Sequence, residues 1–390
     1  MKKLNLSVFR RGSNSGPLIL ERLLDLYKHN YVQADTDILS WTDGWATLLQ
    51  YALYKSGPDV SEIGSTWVGD LARMNVLRPF STREVHDLEG KNQFFQSMWL
   101  TDGLDQTCYS IPWSGDVRVL FYRRDMFQQA GINENLAFQD LTRFEETLAQ
   151  LKESGVESPL AMPSRDSRMG LHSLASWVWA AGGDFVSNDA LQITVDDERT
   201  IAGASKFFRL GRYFGSAALE TGYRSDDSFL RGEAAIVISG SWLLASSMMK
   251  PEVHENLGVA RLPAVPFVGG SHLSIWTYCR APELALKLIH ALLSEENSAA
   301  LYPLIGLPIR EAHWNKPPFD AWPYPIFLES FKAGRSFSSS RLWGLVEKRL
   351  TETLRGMWDE VLSSEENIDE IVDTTFKRLA KRLRLTIERE

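Results

Sequence analysis

The stretch Tyr109-Ser-Ile-Pro-Trp-Ser-Gly-Asp-Val-Arg-Val-Leu-Phe-Tyr-Arg-Arg-Asp-Met-Phe-Gln-Gln-Ala-Gly131 decides how this chain is read. Pro112 signals a turn, and Val117, Val119, Leu120, Phe121 and Tyr122 bring the β-branched and aromatic side chains that favour a strand. Asp125 is placed to cap a short helix that stops at Gly131. The pattern predicts one strand feeding one helix, the repeating unit of an α/β protein.

Similar units lie on both sides. Leu4, Leu6 and Val8 alternate as a strand, a polar turn at 11–16 follows, and Leu20, Leu23, Leu24 and Tyr27 recur at helical spacing. A second strand over 32–41 leads through Thr42-Asp43-Gly44 into a helix carrying Trp45, Leu48, Leu49, Ala52 and Leu53, and Val60 to Ile63 form a third strand. Strands alternating with helices make parallel sheet, whose ligands bind beyond the carboxyl ends of the strands, so the loops at 11–15, 41–45 and 64–67 are expected at one end. Downstream, Phe144, Leu148 and Leu151 mark a helix, Ser173 to Ala181 is apolar and Trp-rich, and Phe229 to Trp242 reads as a strand between glycine turns. A short strand over 273–278, a helix over 282–293 and an irregular Pro-rich connection over 303–325 follow. Ile368, Ile371, Val372, Phe376, Leu379 and Leu383 give the last helix one apolar face. The cations at 377–384 on that helix read as a solvated face near its carboxyl end.

Composition narrows the function classes. A chain of 390 residues suits two lobes, and 44% hydrophobic with 24% charged residues is ordinary for a globular protein. A net charge of -8 opposes general binding of nucleic acid or anionic membrane. Cys108 and Cys279 show no metal-ligand spacing, and the seven histidines form no HxxH or HExxH pattern, so no metal or cofactor is expected. No apolar run reaches the length of a membrane span. The N-terminus alternates like a strand and lacks a signal peptide's apolar core, which leaves a removed leader or a cytoplasmic protein as alternatives.

Taken in order, Pro58-Asp59-Val60 with Trp67, Ile111-Pro112-Trp113 with Asp116, Phe121 to Asp125, Gly182-Gly183-Asp184, Phe229 to Trp242 and Gly306 to Arg310 resemble the extracellular solute-binding proteins of the sugar-uptake type, which serve ATP-binding cassette (ABC) importers. Each motif is weak alone, and their shared order over most of the chain carries the resemblance. Arg123 stands where that family usually has Asn after the crossover tyrosine, a position read here as structural.

The resemblance implies a two-lobed periplasmic-binding-protein fold with hinge strands and a cleft. The lobes are expected at 1–110 with 273–312 and at 118–270 with 315–390, and the hinge at 111–117, 271–272 and 313–314. It implies a monomeric protein outside the cytoplasmic membrane, periplasmic or lipid-anchored, that passes a carbohydrate to permease subunits of the importer. It also favours the removed leader.

A sugar presents apolar C–H faces and a rim of hydroxyls, so its site needs flat aromatic platforms with paired donors and acceptors. Of thirteen tryptophans, several fall at predicted loop ends. Trp242, after Gly240-Ser241, matches the family position whose tryptophan stacks on sugar, and the alternative is a core tryptophan under the turn. Asp43 and Trp45 begin the helix after the second strand, where Asp43 is a sugar contact or an N-cap. Thr66 and Trp67 follow the third strand, and Ser13 and Asn14 the first. Trp113 and Asp116 flank the hinge strand, where Asp116 either meets ligand or braces backbone amides. Trp177 and Trp179 cannot share one helix face, and Trp179 is the candidate. His172, Trp276, Arg310 and Trp343 complete the expected binding set. Rival readings are a sensor subunit with the same cleft, a thiaminase-like transferase using Cys108, and a glycosidase pairing Asp43 with Asp116.

Overall fold

The computed structural model describes residues 3–11, 15–30, 33–88, 94–99, 107–187, 192–220, 223–337, 343–363 and 367–387. Ser13 and Asn14 lie outside them. Two sheets organise the chain. The first contains β1 (Leu4–Phe9), β2 (Ala34–Leu39), β3 (Val60–Gly64), β4 (Ile111–Val117) and, from far along the chain, β9 (Val268–Ile275), in the order β2-β1-β3-β9-β4. The second contains β5 (Val119–Arg123), β6 (Leu160–Ala161), β7 (Ile236–Ser239) and β8 (Leu257–Ala260), in the order β6-β7-β5-β8.

Strand direction places the cleft. β1 is parallel to β2 and β3, while β9 runs antiparallel to both β3 and β4. All strands of the first sheet except β9 therefore point one way, and β4 passes directly through Arg118 into β5. In the second sheet β7 and β8 run antiparallel to β5, and β6 is parallel to β7. Because β5 leaves the crossing, β6, β7 and β8 return toward it. Both lobes thus turn strand carboxyl ends to the space between them, which is where ligands bind in such sheets.

The expected elements form with some shifts. The helix Ser15–His29 buries Ile19, Leu23, Leu26 and Tyr27, and Leu24 faces solvent. Pro112 lies inside a strand, not a turn. It is tolerated because β4 is an edge strand and its register shifts between Pro112 and Ser114. β9 starts at Val268, earlier than expected, with Gly269 and Gly270 within it. A side chain at Gly270, whose φ is 143°, would run into the Ser114 carbonyl, so glycine permits the close approach of these crossing strands. Pro303 sits inside the helix Glu295–Ile305, not in an irregular connection. Arg123 is buried and forms a forked pair with Asp125, with Nε to Oδ1 at 2.8 Å, which ties strand to helix.

Candidate functional site

The first lobe's side of the cleft grows from the ends of β1, β2 and β3. Beyond β1, the Arg11 Nε donates to the Ile305 carbonyl at 2.6 Å, and its Nη2 donates to Glu62 at 3.1 Å and to the Ser114 hydroxyl at 3.0 Å. Glu62 is fully buried and also accepts the Phe9 backbone N–H at 2.6 Å. Burial pushes its carboxyl pKa up, and Arg11 and that N–H pull it back. Beyond β2 comes Trp41, its ring 4.2 Å from Phe9, 5.5 Å from Trp67 and 4.7 Å from the Arg11 guanidinium carbon. Trp67, in the turn after β3, also has Trp45 at 5.7 Å. Thr66 is half-buried in the same turn. Asp43 is exposed in the first turn of the helix Trp41–Tyr54, and Ser40 supplies the cap by accepting from the Thr42 N–H at 3.3 Å.

The facing wall belongs to the hinge and the second lobe. After β7, a side chain at Gly240 would collide with the Trp242 ring, so glycine lets the half-buried indole fold back over the turn. The Trp242 N–H donates to Asp226 at 2.7 Å. Burial raises the Asp226 pKa, and that donated bond opposes the rise. The Arg118 guanidinium carbon lies 4.7 Å from the Trp242 ring. Arg118 also pairs with Asp116 and donates from Nη2 to His172 Nδ1 at 3.3 Å. His172 stacks on Phe267 at 3.9 Å, and its pKa is held well below the usual histidine range, first by burial and then by Arg118 and Arg168.

Phe337 continues this aromatic wall. Phe267 lies 5.0 Å from it, Trp179 5.4 Å, and Trp343 stacks on it at 4.1 Å. Trp179 donates to Asp184 at 3.3 Å, whereas Trp177 turns to Phe207 in the second core. The lobes meet across the cleft: the Arg168 guanidinium carbon sits 4.9 Å from the Trp67 ring. A side chain at Gly344 would overlap Asp70 and Arg73 of the first lobe. One turn on from Trp343, Glu347 is buried, and its pKa is pushed up to about 7 by burial, with Arg168 opposing and Asp70 adding to the rise.

Of the expected binding residues, the structure brings Trp45, Thr66, Trp67, Asp116, His172, Trp179, Trp242 and Trp343 to the cleft walls. Trp276 is corrected. Because β9 runs antiparallel to β3, Ile275 pairs with Val60, and Trp276 lies at the far end of the sheet, fully buried and bonded to the Ser61 hydroxyl at 2.7 Å. Trp113 is also corrected: it is fully buried in the first core on β4. Arg310 is buried under Phe94 and donates to the Leu293 carbonyl at 2.9 Å, bracing the end of the helix Pro282–Leu293. The sequence reading passed over Arg11, Trp41, Glu62, Arg118, Arg168 and Asp226. Arg118 carried a signal, as the one charge within the apolar run Val117 to Tyr122.

Known proteins share this fold. Among curated proteins, the diacetylchitobiose-binding protein DasA of Streptomyces coelicolor is 23% identical over 291 residues, covering 71% of this chain and 66% of its own length, so the chain spans just under two thirds of that relative. Among solved structures, an ABC transporter solute-binding protein of Thermotoga lettingae bound to α-D-tagatose superposes with a TM-score of 0.83 at 17% identity, over 98% of this chain and 100% of that one. The sugar-binding protein MalE of Xanthomonas citri gives 0.82 at 20% identity, covering 100% of both chains. These structures share the two-lobed fold. The sequence profile of the bacterial extracellular solute-binding proteins matches residues 38–299, most of the chain, and the chain belongs to that family.

Proposed function

We propose that this protein closes its lobes over a carbohydrate and delivers it to the membrane subunits of an ABC importer, without chemical turnover. The observation that carries this reading is the mixture of aromatic faces and unsatisfied polar atoms in one cleft. Trp41, Trp45 and Trp67 stand on one wall and Trp242 on the other. Among the described residues, the buried Trp67 Nε1, Asp116 Oδ1, Arg118 Nε and His172 Nε2 have no hydrogen-bond partner. Burying such atoms without partners costs stability, and a polyhydroxylated ligand between the walls supplies partners and stacking together. Binding of saccharides by DasA and MalE supports the same class.

The geometry around the rival nucleophile supports binding without turnover. Cys108 is buried, and its thiol donates to the Ser110 carbonyl at 3.2 Å. Asp116, one half of a conceivable glycosidase pair, is engaged by Arg118. A setting outside the cytoplasmic membrane follows the family, and among the described residues no helix is long and apolar enough to cross a membrane.

The test is a thermal-shift and calorimetric screen against mono- and oligosaccharides, polyamines and polyol phosphates, with chromatography of the recovered ligand. A saccharide at a hundred times its Kd adds about 2.7 kcal/mol of stability. Binding of an intact saccharide supports the reading, and a response to polyamines alone, or cleaved sugar, overturns it.

A further inference from the structure

We propose that the saccharide of this cleft carries an oxyanion, a carboxylate, sulfate or phosphate, and that Arg168 receives it. This rests on the carbohydrate reading above and narrows its substrate class.

The argument is an inventory of protons. Arg118 Nη2 donates to His172 Nδ1, so in the neutral ring the proton resides on Nε2, and that atom is a donor. Buried donors without an acceptor among the described residues are then the indole N–H groups of Trp41 and Trp67, the Arg118 Nε and the His172 Nε2. Among the buried side-chain atoms of the same cleft that have no partner among the described residues, the one that can only accept is Asp116 Oδ1.

A neutral sugar does not balance this surplus well, because every hydroxyl that accepts a bond brings a proton of its own. An oxyanion brings acceptor oxygens without protons, and its bonds to cationic donors are the stronger kind.

Arg168 is the cation placed for it. It lies in the first turn of the helix Ser167–Ala180, crosses to the Trp67 ring, and among the described residues its guanidinium has no ion pair or hydrogen bond. The carboxyl nearest in effect is Glu347, which lies among Arg168, Asp70 and Arg73. Asp70 and Arg73 are paired with each other. Burial pushes the Glu347 pKa up to about 7, so at neutral pH it is only partly ionised and only partly neutralises Arg168.

The experiment is titration calorimetry on the full chain with digalacturonate, its neutral counterpart galactobiose, and a sulfated and a phosphorylated galactose, at low and high salt. Wild type is compared with Arg168→Gln and Arg168→Lys, each checked by its melting curve. At least one oxyanion sugar is expected to bind about ten-fold or more tighter than the neutral one at low salt. High salt is expected to narrow the gap, Arg168→Gln to close it, and Arg168→Lys to keep part of it. The oxyanion that binds best identifies its source. Equal or tighter binding of neutral sugar, or a preference that survives Arg168→Gln, overturns the proposal and leaves the carbohydrate reading standing. Silence of every saccharide overturns both.

Discussion

Two arginines lie on two tryptophans in this molecule, and nearly equal distances hide different roles. Arg118 is 4.7 Å from the Trp242 ring, and Arg168 is 4.9 Å from the Trp67 ring. Arg118 is only 3% exposed, sits on the crossing between β4 and β5, and is held by Asp116 and His172. Its tryptophan is held in turn by Asp226. Every group in that contact belongs to the hinge or the second lobe, so it is a prebuilt wall. Arg168 and Trp67 belong to opposite lobes, so on the proposed function their contact is one that opening of the cleft would break. Identical pair chemistry thus sits within one wall in one place and bridges the two lobes in the other, and the surrounding hydrogen bonds reveal which.

The largest effect is expected where the wall is broken. Arg118→Met strands the Asp116 carboxylate in a mostly buried site, and removing one partner of such a pair costs about 3 kcal/mol. Urea denaturation measures it; a loss no larger than that of Arg168→Met would erase the distinction between the two contacts. Trp242→Ala comes next. It removes the platform and leaves the buried Asp226 without its N–H donor, so ligand affinity is expected to fall by about 2 kcal/mol, roughly 30-fold. Calorimetry with the best saccharide from the screen checks this, and an unchanged affinity would transfer the stacking role to the Trp41, Trp45 and Trp67 wall.

Why the tryptophan of each contact was legible in the sequence and its arginine was not follows from where the information resides. Trp242 came from the family resemblance, whereas the strands announced themselves through Leu4, Leu6 and Val8 and through the run from Val117 to Tyr122, and parallel order then sent Thr66 and Trp67 to the cleft. Those are local patterns joined to one topological rule. Trp276 defeated the same reasoning because β9 returns antiparallel, and periodicity carries no direction. Arg168 was unreadable for another reason. An arginine in the first turn of a helix looks like a solvated charge, and its contact depends on residues about a hundred positions away in the other lobe. Glu62 lay within a strand whose residues are all buried, where a carboxylate survives only because Arg11 and the Phe9 N–H meet it.

Glu347 sharpens the comparison through pH. Its folded pKa, about 7, lies above the ordinary value of 4.5, so the folded state holds the proton more tightly than the unfolded chain does. Its contribution to stability is therefore fully present below pH 4.5 and is lost as pH rises toward 7. Glu347→Gln, which cannot ionise, is expected to lose about 2 kcal/mol less than wild type between pH 5 and pH 8. Melting curves at both values test it, and parallel curves would mean that Glu347 is solvated when the cleft opens.

The smallest expected energy belongs to Arg168 and is the most informative about closure. A partly exposed guanidinium on an indole contributes about 0.5 to 1 kcal/mol, so Arg168→Met should barely alter unfolding. On the proposed closure of the lobes over ligand, the same amount acts on the balance between open and closed states, because parting the lobes separates Trp67 from Arg168. Losing it should raise the open-to-closed ratio about two- to five-fold. Spin labels at Leu53 and Leu385, which are 70% and 45% exposed, in a Cys279→Ser background, give that ratio as a distance distribution. Arg118→Met, whose contacts do not reach across the cleft, should lower stability with a smaller change in that distribution. The opposite pattern, with Arg118 controlling the distance and Arg168 the stability, would reverse the roles assigned to the two contacts.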